Sequence, residues 1–231
     1  MEIIRTEKVE KVYDDNGIPV HAVKGVSMSL AKGDFTVIAG PSGSGKTTLL
    51  NLIGALDNPT SGKVFFEGVD LASKSKTELS TLRLKRLGFI FQAYNLIPVL
   101  SALENIEFTM MLSGIAESER HDRAIAMMKE LGIGELANKR PNEMSGGQQQ
   151  RVAVARAIVN DPSVVLADEP TANLDSATGS ALLDLMQSMN AEREITFVFS
   201  SHDPQVIERG KKLLMMKDGA IDREESRDRH N

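Results

Sequence analysis

The chain has 231 residues, of which 41% are apolar and 26% charged, and its formal net charge is −5. That length suits one large domain, and the acidic balance gives no electrostatic case for a nucleic-acid partner, so none is expected. Cysteine is absent, which rules out disulfides and thiolate metal sites.

The opening "MEIIRTEKVEKVY" alternates apolar and charged residues. It lacks the basic segment, apolar core and cleavage site of a secretory signal, so export is not expected. The first forty residues read as strands: "IIRTEKVEKVY", a turn at "DDNG", then "HAVKGVSMSL" and the buried-looking "FTVIAG". A helix is expected over "TTLLNLIGA", followed by a turn at "NPTSG" and a hairpin at "KVFFEGVDL". From about residue 93 to 160 the period changes to 3.6, in "ALENIEFTMMLSG" and "ESERHDRAIAMMKELG", and Ser101 stands three residues before Glu104 as in a capping box. Strand and helix alternation resumes with "SVVLADEP", "ATGSALLDLMQSMN", "ITFVFSSH" and "KKLLMMKDGAI". The expected organisation is one α/β domain: a core over 1–92 and 161–222, a helical subdomain over about 93–160, and a frayed polar tail over 223–231. Apolar runs such as "FTVIAG" and "VVLA" fall well short of the ~20 residues a membrane-spanning helix needs, so any membrane role requires a separate subunit. The paired methionines at 110/111, 127/128 and 215/216 read as packing residues.

The run Gly40-Pro41-Ser42-Gly43-Ser44-Gly45-Lys46-Thr47 fits G-x-x-x-x-G-K-[ST] between a predicted strand and a predicted helix, the setting that such a phosphate-binding loop (P-loop) requires. Glycines let the backbone wrap so that N–H groups converge on a phosphate, and the helix adds the positive end of its dipole. Lys46 supplies a full charge for the β- and γ-phosphates, and the Thr47 hydroxyl can ligate Mg²⁺; Thr48 follows in the same turn. Downstream, "VVLADEP" delivers Asp168 and Glu169 to a strand's C-terminal end, where ligands of parallel α/β sheets collect. Taken alone, the two acids could equally cap the next helix. With the P-loop present, Asp168 reads as the second Mg²⁺ anchor, through water, and Glu169 as the base for the attacking water.

A second Gly-rich loop, "MSGGQQQR", leads into the helix-prone "VAVARAIV". Together with the P-loop, "VVLADEPTANLD" and "SSHD", in that order, it resembles the nucleotide-binding subunit of an ATP-binding cassette (ABC) transporter over nearly the whole chain. The resemblance implies a P-loop NTPase of the ABC-ATPase fold: a mixed core sheet, an N-terminal antiparallel β-subdomain and a helical subdomain. It implies ATP and Mg²⁺ as ligands, and a head-to-tail homodimer formed on ATP binding. Ser145, Gly146 and Gly147, with Gln148 beside them, would then close over the γ-phosphate of ATP held by the partner's P-loop. Gln92 falls where the family's Q-loop glutamine meets Mg²⁺ and water, His202 where its switch histidine meets the γ-phosphate, Asp175 on the D-loop at the dimer interface, and Tyr13 where an aromatic stacks on adenine. Lys46, Gln92, Glu169 and His202 form the implied catalytic set. Departures are mild: Met144, Ala172 and Ser201 stand where leucine, glycine and threonine are frequent.

The stretches "QAYNLIPVLSALENIEF" and "KRPNEMSGGQQQRVAVARA" are most similar to the branch holding LolD-type lipoprotein-releasing ATPases and the ATPase part of MacB-type exporters. The short C-terminal extension favours the stand-alone type. The branch implies an ATPase on the cytoplasmic face of the inner membrane, with Tyr94–Leu100 forming the groove for a permease subunit. Two alternatives stay open: a regulatory ATPase of the FtsE type acting on a periplasmic activity, and a soluble ABC ATPase without a transport role.

Overall fold

The computed structural model describes residues 1–227. Strands β1 (Glu2–Asp15) and β2 (Ile18–Ala31) pair antiparallel around Asn16 and Gly17, whose φ angles are 52° and 84°. A two-residue hairpin needs left-handed backbone at both positions, and Asn-Gly adopts it at least cost. β4 (Ser61–Phe66) lies on the other side of β1 and turns back at Glu67–Gly68 into β5 (Val69–Asp70), which completes the antiparallel sheet β2-β1-β4-β5.

The second sheet carries the chemistry. Its order is β10 (Ala220–Ser226), β9 (Lys212–Lys217), β3 (Phe35–Ala39), β8 (Thr196–Ser201), β7 (Val164–Asp168), β6 (Leu87–Ile90), parallel throughout except for β10. The central strands are buried on both faces and sort their residues by parity. Phe35, Val37, Val165, Ala167, Phe197 and Phe199 join the cluster packed with helices α3 (Ala102–Leu112), α4 (Glu117–Glu130), α5 (Gly146–Ile158) and α6 (Ser176–Arg193). Ile38, Val164, Leu166 and Val198 join the opposite cluster, with α1 (Lys46–Ile53) and the first sheet. Side chains of successive strand residues point to opposite faces, so a continuous apolar run is what a strand between two layers requires. The helical stretch therefore shares one core with the sheet. Met110, Met127, Met128 and Met216 are buried packing residues, whereas Met111 is exposed.

Four elements depart from the sequence reading: helices α2 (Lys76–Arg86) and α7 (Pro204–Arg209) and strand β6 have no counterpart in it, and the chain end differs. α2 has no buried residue, and Leu79 and Leu82 only rest against the core, so no clean apolar stripe marks it. Its signal was the capping box of Ser75 and Glu78. The expected polar tail from 223 is instead strand as far as Ser226, hairpinned to β9 through Asp218 and Gly219 with φ of 49° and 86°. Its charged residues suit an edge strand, where charge discourages pairing with another chain; positions 228–231 of that tail lie outside the described residues. A short helix α7 (Pro204–Arg209) follows β8.

Candidate functional site

The parallel strands end on one side of the sheet, and the loops leaving β3, β7 and β8 meet there. After β3 the chain coils through Gly40, Gly43 and Gly45, with φ of 157°, 78° and 97°, into α1. A side chain at Gly45 would run into the carbonyl oxygen of Ala22, so backbone conformation and close approach both demand glycine. No side chain caps α1, so its first N–H groups remain available to an anion. The Lys46 ammonium, largely buried, donates to the carbonyl oxygens of Gly40 (2.9 Å) and Pro41 (3.0 Å). The Ser44 hydroxyl is buried without a partner. A wrapped loop with an orphaned hydroxyl and a lysine folded onto its own carbonyls fits a polyanion that would recruit these groups.

The acids arrive from β7. Asp168 Oδ1 accepts from the hydroxyls of Thr47 (3.1 Å) and Ser200 (2.6 Å). Glu169 takes a left-handed φ of 46°, which for a residue with a Cβ costs on the order of 1–3 kcal/mol. This kink ends the strand, and the Glu169 N–H donates to Ser200 O at 2.9 Å. Glu169 Oε1 lies 2.7 Å from His202 Nδ1, and Oε2 accepts from the Ser201 hydroxyl at 2.9 Å. With an ionised carboxylate the imidazole nitrogen is the donor. Ser42, Gly43, Gly45, Lys46, Thr47, Thr48, Gln92, Glu169 and His202 line one open cleft of about 450 Å³, joined by Val20, His21 and Ala22 of β2. The hard oxygen donors of Thr47, Asp168 and Gln92 suit Mg²⁺, which keeps several waters and shares its sphere with phosphate oxygens.

Tyr13 is not among the residues lining that cleft. Its hydroxyl donates to Asp57 Oδ2 (2.8 Å), it also interacts with Thr48 on the cleft wall, and Lys11 Nζ sits 4.9 Å from the ring centroid. Burial and the Asp57 bond raise the Tyr13 phenol pKa. Burial pushes Asp57 up, yet its bonds from Lys11 and Tyr13 outweigh that and hold its carboxyl below the usual range.

The second Gly-rich loop builds a different cleft of about 310 Å³, lined by Ser145, Gly146, Gly147, Gln148, Arg151, Asn173, Leu174, Asp175 and Thr178. None of the described residues lines both clefts. Ser145 caps α5: its Oγ accepts from Gln148 N (3.3 Å), and Gln148 Oε1 accepts from Ser145 N (2.9 Å). Asp175 caps α6, accepting from the N–H groups of Ala177 and Thr178. Hydrogen bonds from the Thr178 side chain and backbone lower its pKa. A Cβ on Gly146 would come within 2.7 Å of the Tyr94 hydroxyl, and one on Gly147 within 2.6 Å of Thr178 Cγ2, so both glycines also serve close packing.

Three connections escaped the sequence reading. Asn173 Nδ2 donates to Gln92 O at 2.9 Å, linking the two clefts' loops. Tyr94 and Asn95 are both left-handed, with φ of 59° and 50°, and the Arg156 guanidinium at the end of α5 donates to both their carbonyls, at 2.9 and 2.6 Å; burial lowers the Arg156 pKa. An apolar groove of about 650 Å³ runs beside this clamp between α2, β6, α3 and α5. Of the expected stretch Tyr94–Leu100, only Asn95 and Ile97 line it, while Tyr94 turns toward Gly146; Phe89, Phe91, Phe108 and Leu112 are among the residues of its apolar wall.

The family model described as ABC transporter matches residues 23–172. The chain is 42% identical over 221 residues to an uncharacterized ABC transporter ATP-binding protein of Thermotoga maritima, covering 96% of this chain and 94% of that protein. It is 40% identical over 226 residues to the macrolide export ATP-binding/permease protein MacB of Syntrophobacter fumaroxidans, covering 97% of this chain but 32% of that protein. A solved dimer of the ATP-binding cassette MJ0796 of Methanocaldococcus jannaschii, in a post-hydrolysis state bound to ADP and Pi, is similar with a TM-score of 0.91 and 40% identity, over 97% of this chain and 98% of that one.

Proposed function

Because this chain belongs to the ABC transporter family of ATP-binding proteins, its two clefts can be given separate tasks, and we propose that it powers an export or lipoprotein-release system of the LolD/MacB type through separate membrane subunits. The chain is an ATP-binding subunit that hydrolyses ATP to ADP and phosphate. In the proposed arrangement, the P-loop from Gly40 to Thr47 holds the phosphates, Lys46 leaves its own carbonyls for the β- and γ-oxygens, and Tyr13 at the rim takes the adenine. Thr47, Asp168 and Gln92 would hold Mg²⁺, which when bound neutralises phosphate charge. Glu169 accepts a proton from the attacking water, and His202 donates to the γ-phosphate.

Ser145, Gly146 and Gly147 complete the site of a second copy, for which their cleft offers backbone N–H groups, a hydroxyl and the N-terminus of α5. The dimeric cassette of similar structure supports this assembly. The MacB-type relative, in which an ATP-binding part is joined to a permease, supports a membrane partner. We place that partner's docking segment in the groove walled by Phe89, Phe91, Phe108 and Leu112, and the subunit on the cytoplasmic membrane face. Among the described residues no helix is long and apolar enough to cross a membrane itself.

The observation that carries the proposal is the convergence of Lys46, Thr47, Gln92, Glu169 and His202 on one cleft while the second loop lines another. Glu169→Gln tests it. Loss of a general base costs ~10²–10⁴ in rate, so the variant should bind ATP, accumulate as a dimer by light scattering and turn over at the corresponding fraction. A variant that hydrolyses at the parent rate and stays monomeric with ATP would falsify the assignment.

A further inference from the structure

The two carboxylates at the end of β7 are each held by a different serine of β8. Ser200 pairs with Asp168 in the parallel register and donates to its Oδ1 at 2.6 Å; Ser201, the next residue, donates to Glu169 Oε2 at 2.9 Å. Both serines are fully buried. A hydroxyl has one proton and can rotate, but the environment of Ser201 removes that freedom. Its oxygen accepts the N–H of Asp203 at 3.1 Å, so its proton is left to point at Glu169. Asp203 is itself fixed, because its carboxylate caps α7 at Gln205 N (2.9 Å) and accepts from the Thr171 hydroxyl at 2.9 Å. The chain Thr171, Asp203, Ser201, Glu169 thus ends on a single carboxylate oxygen.

The other oxygen is held differently. Among the described residues Glu169 Oε1 meets only the His202 ring nitrogen, and that side chain is 67% exposed, against 13% for Glu169. One oxygen is therefore anchored by a buried donor and the other is covered by a movable one. We propose that Ser201 is a positioning residue that anchors Glu169 through Oε2, and so designates Oε1 as the oxygen that receives the proton of the attacking water. This rests on the assignment of Glu169 as the base. In the step, one O–H bond of water breaks and its proton goes to Oε1. The water oxygen bonds to the γ-phosphorus, and the bond from that phosphorus to the bridging oxygen breaks with its electron pair leaving on ADP. His202 rests on Oε1 before nucleotide enters and vacates it for the water, passing to the γ-phosphate.

The experiment compares Ser201→Ala and Ser201→Thr with the parent, each also on the Glu169→Gln background, in single-turnover assays with ATP. One hydrogen bond to a charged group sets the scale: Ser201→Ala should lower the hydrolysis rate roughly tenfold with ATP affinity within about twofold. Ser201→Thr, which keeps the hydroxyl, should recover most of the loss. On the Glu169→Gln background Ser201→Ala should cost nothing further, because coupled residues are not additive. An inactive Glu169→Gln combined with an unaffected Ser201→Ala overturns this inference alone, as does an equal loss on both backgrounds. Normal hydrolysis by Glu169→Gln overturns the base assignment and this inference with it.

Discussion

The two clefts are built from similar residue types and differ in what those residues already do. Around the P-loop the charged groups hold backbone carbonyls or neighbouring side chains: Lys46 the carbonyls of Gly40 and Pro41, Asp168 the hydroxyls of Thr47 and Ser200, Glu169 the Ser201 hydroxyl and the His202 ring. Around Ser145 the polar side chains are committed to helix ends, Ser145 and Gln148 on α5 and Asp175 on α6. The first cleft holds a carboxylate, a cation and an imidazole, the groups that the proposed proton transfer would use. The second offers donors, but both ionisable groups along its lining have structural tasks: Asp175 caps α6 and Arg151 Nη1 donates to Leu131 O. The difference teaches that a Gly-rich loop before a helix says little about chemistry until its neighbours are known: both loops present a helix N-terminus, and only the P-loop cleft sets a carboxylate and an imidazole beside it.

The sharpest way to break this division is Ser145→Arg. It should leave ATP binding to the isolated subunit within about twofold, while hydrolysis falls by roughly 10²–10³, the scale of losing a preorganised donor in an anion site. Equilibrium binding of a fluorescent ATP analogue and a phosphate-release assay read the two effects, and loss of monomer binding would place the loop in its own chain's site. A smaller effect lies on the other side. Tyr13→Ala should raise KM for ATP about tenfold with little change in kcat, on the scale of an aromatic stacking contact; an unchanged KM removes Tyr13 from the adenine site. Smaller still, Asp57→Ala should raise KM about threefold by releasing the Tyr13 hydroxyl, and should add nothing on the Tyr13→Ala background. If it does add, Asp57 acts by another route.

What the sequence made legible was chemistry written in consecutive residues. The wrap of "GPSGSGKT", the acids after "VVLA" and the glycines of "MSGGQQQR" each carry their function in type and spacing, and the structure places Lys46, Thr47, Gln92, Glu169 and His202 around one cleft. The continuous apolar runs of the buried strands, such as "FTVIAG" and "VVLA", were legible for the same reason. Contacts that close over long separations were not. Ser201 meets Glu169 across 32 positions, Tyr13 meets Asp57 across 44, and Arg156 meets Tyr94 across 62; only the register of β7 against β8 or the packing of α5 brings these together. β10 was missed because an exposed edge strand rich in charge has the composition of a tail, and α2 because a helix lying on a surface needs little apolar stripe.

The backbone of Glu169 has a consequence for how this protein can change. Its left-handed φ is one that glycine or asparagine accepts more readily than glutamate, so the position trades durability for turnover. Replacing the acid by glycine relieves the backbone strain and, under the proposed mechanism, removes the base, so the resulting protein would be idle. Selection for thermal resistance alone would thus drift toward dead enzymes at this site, and a heat-challenge library has to be counter-screened for phosphate release if position 169 is left free to vary.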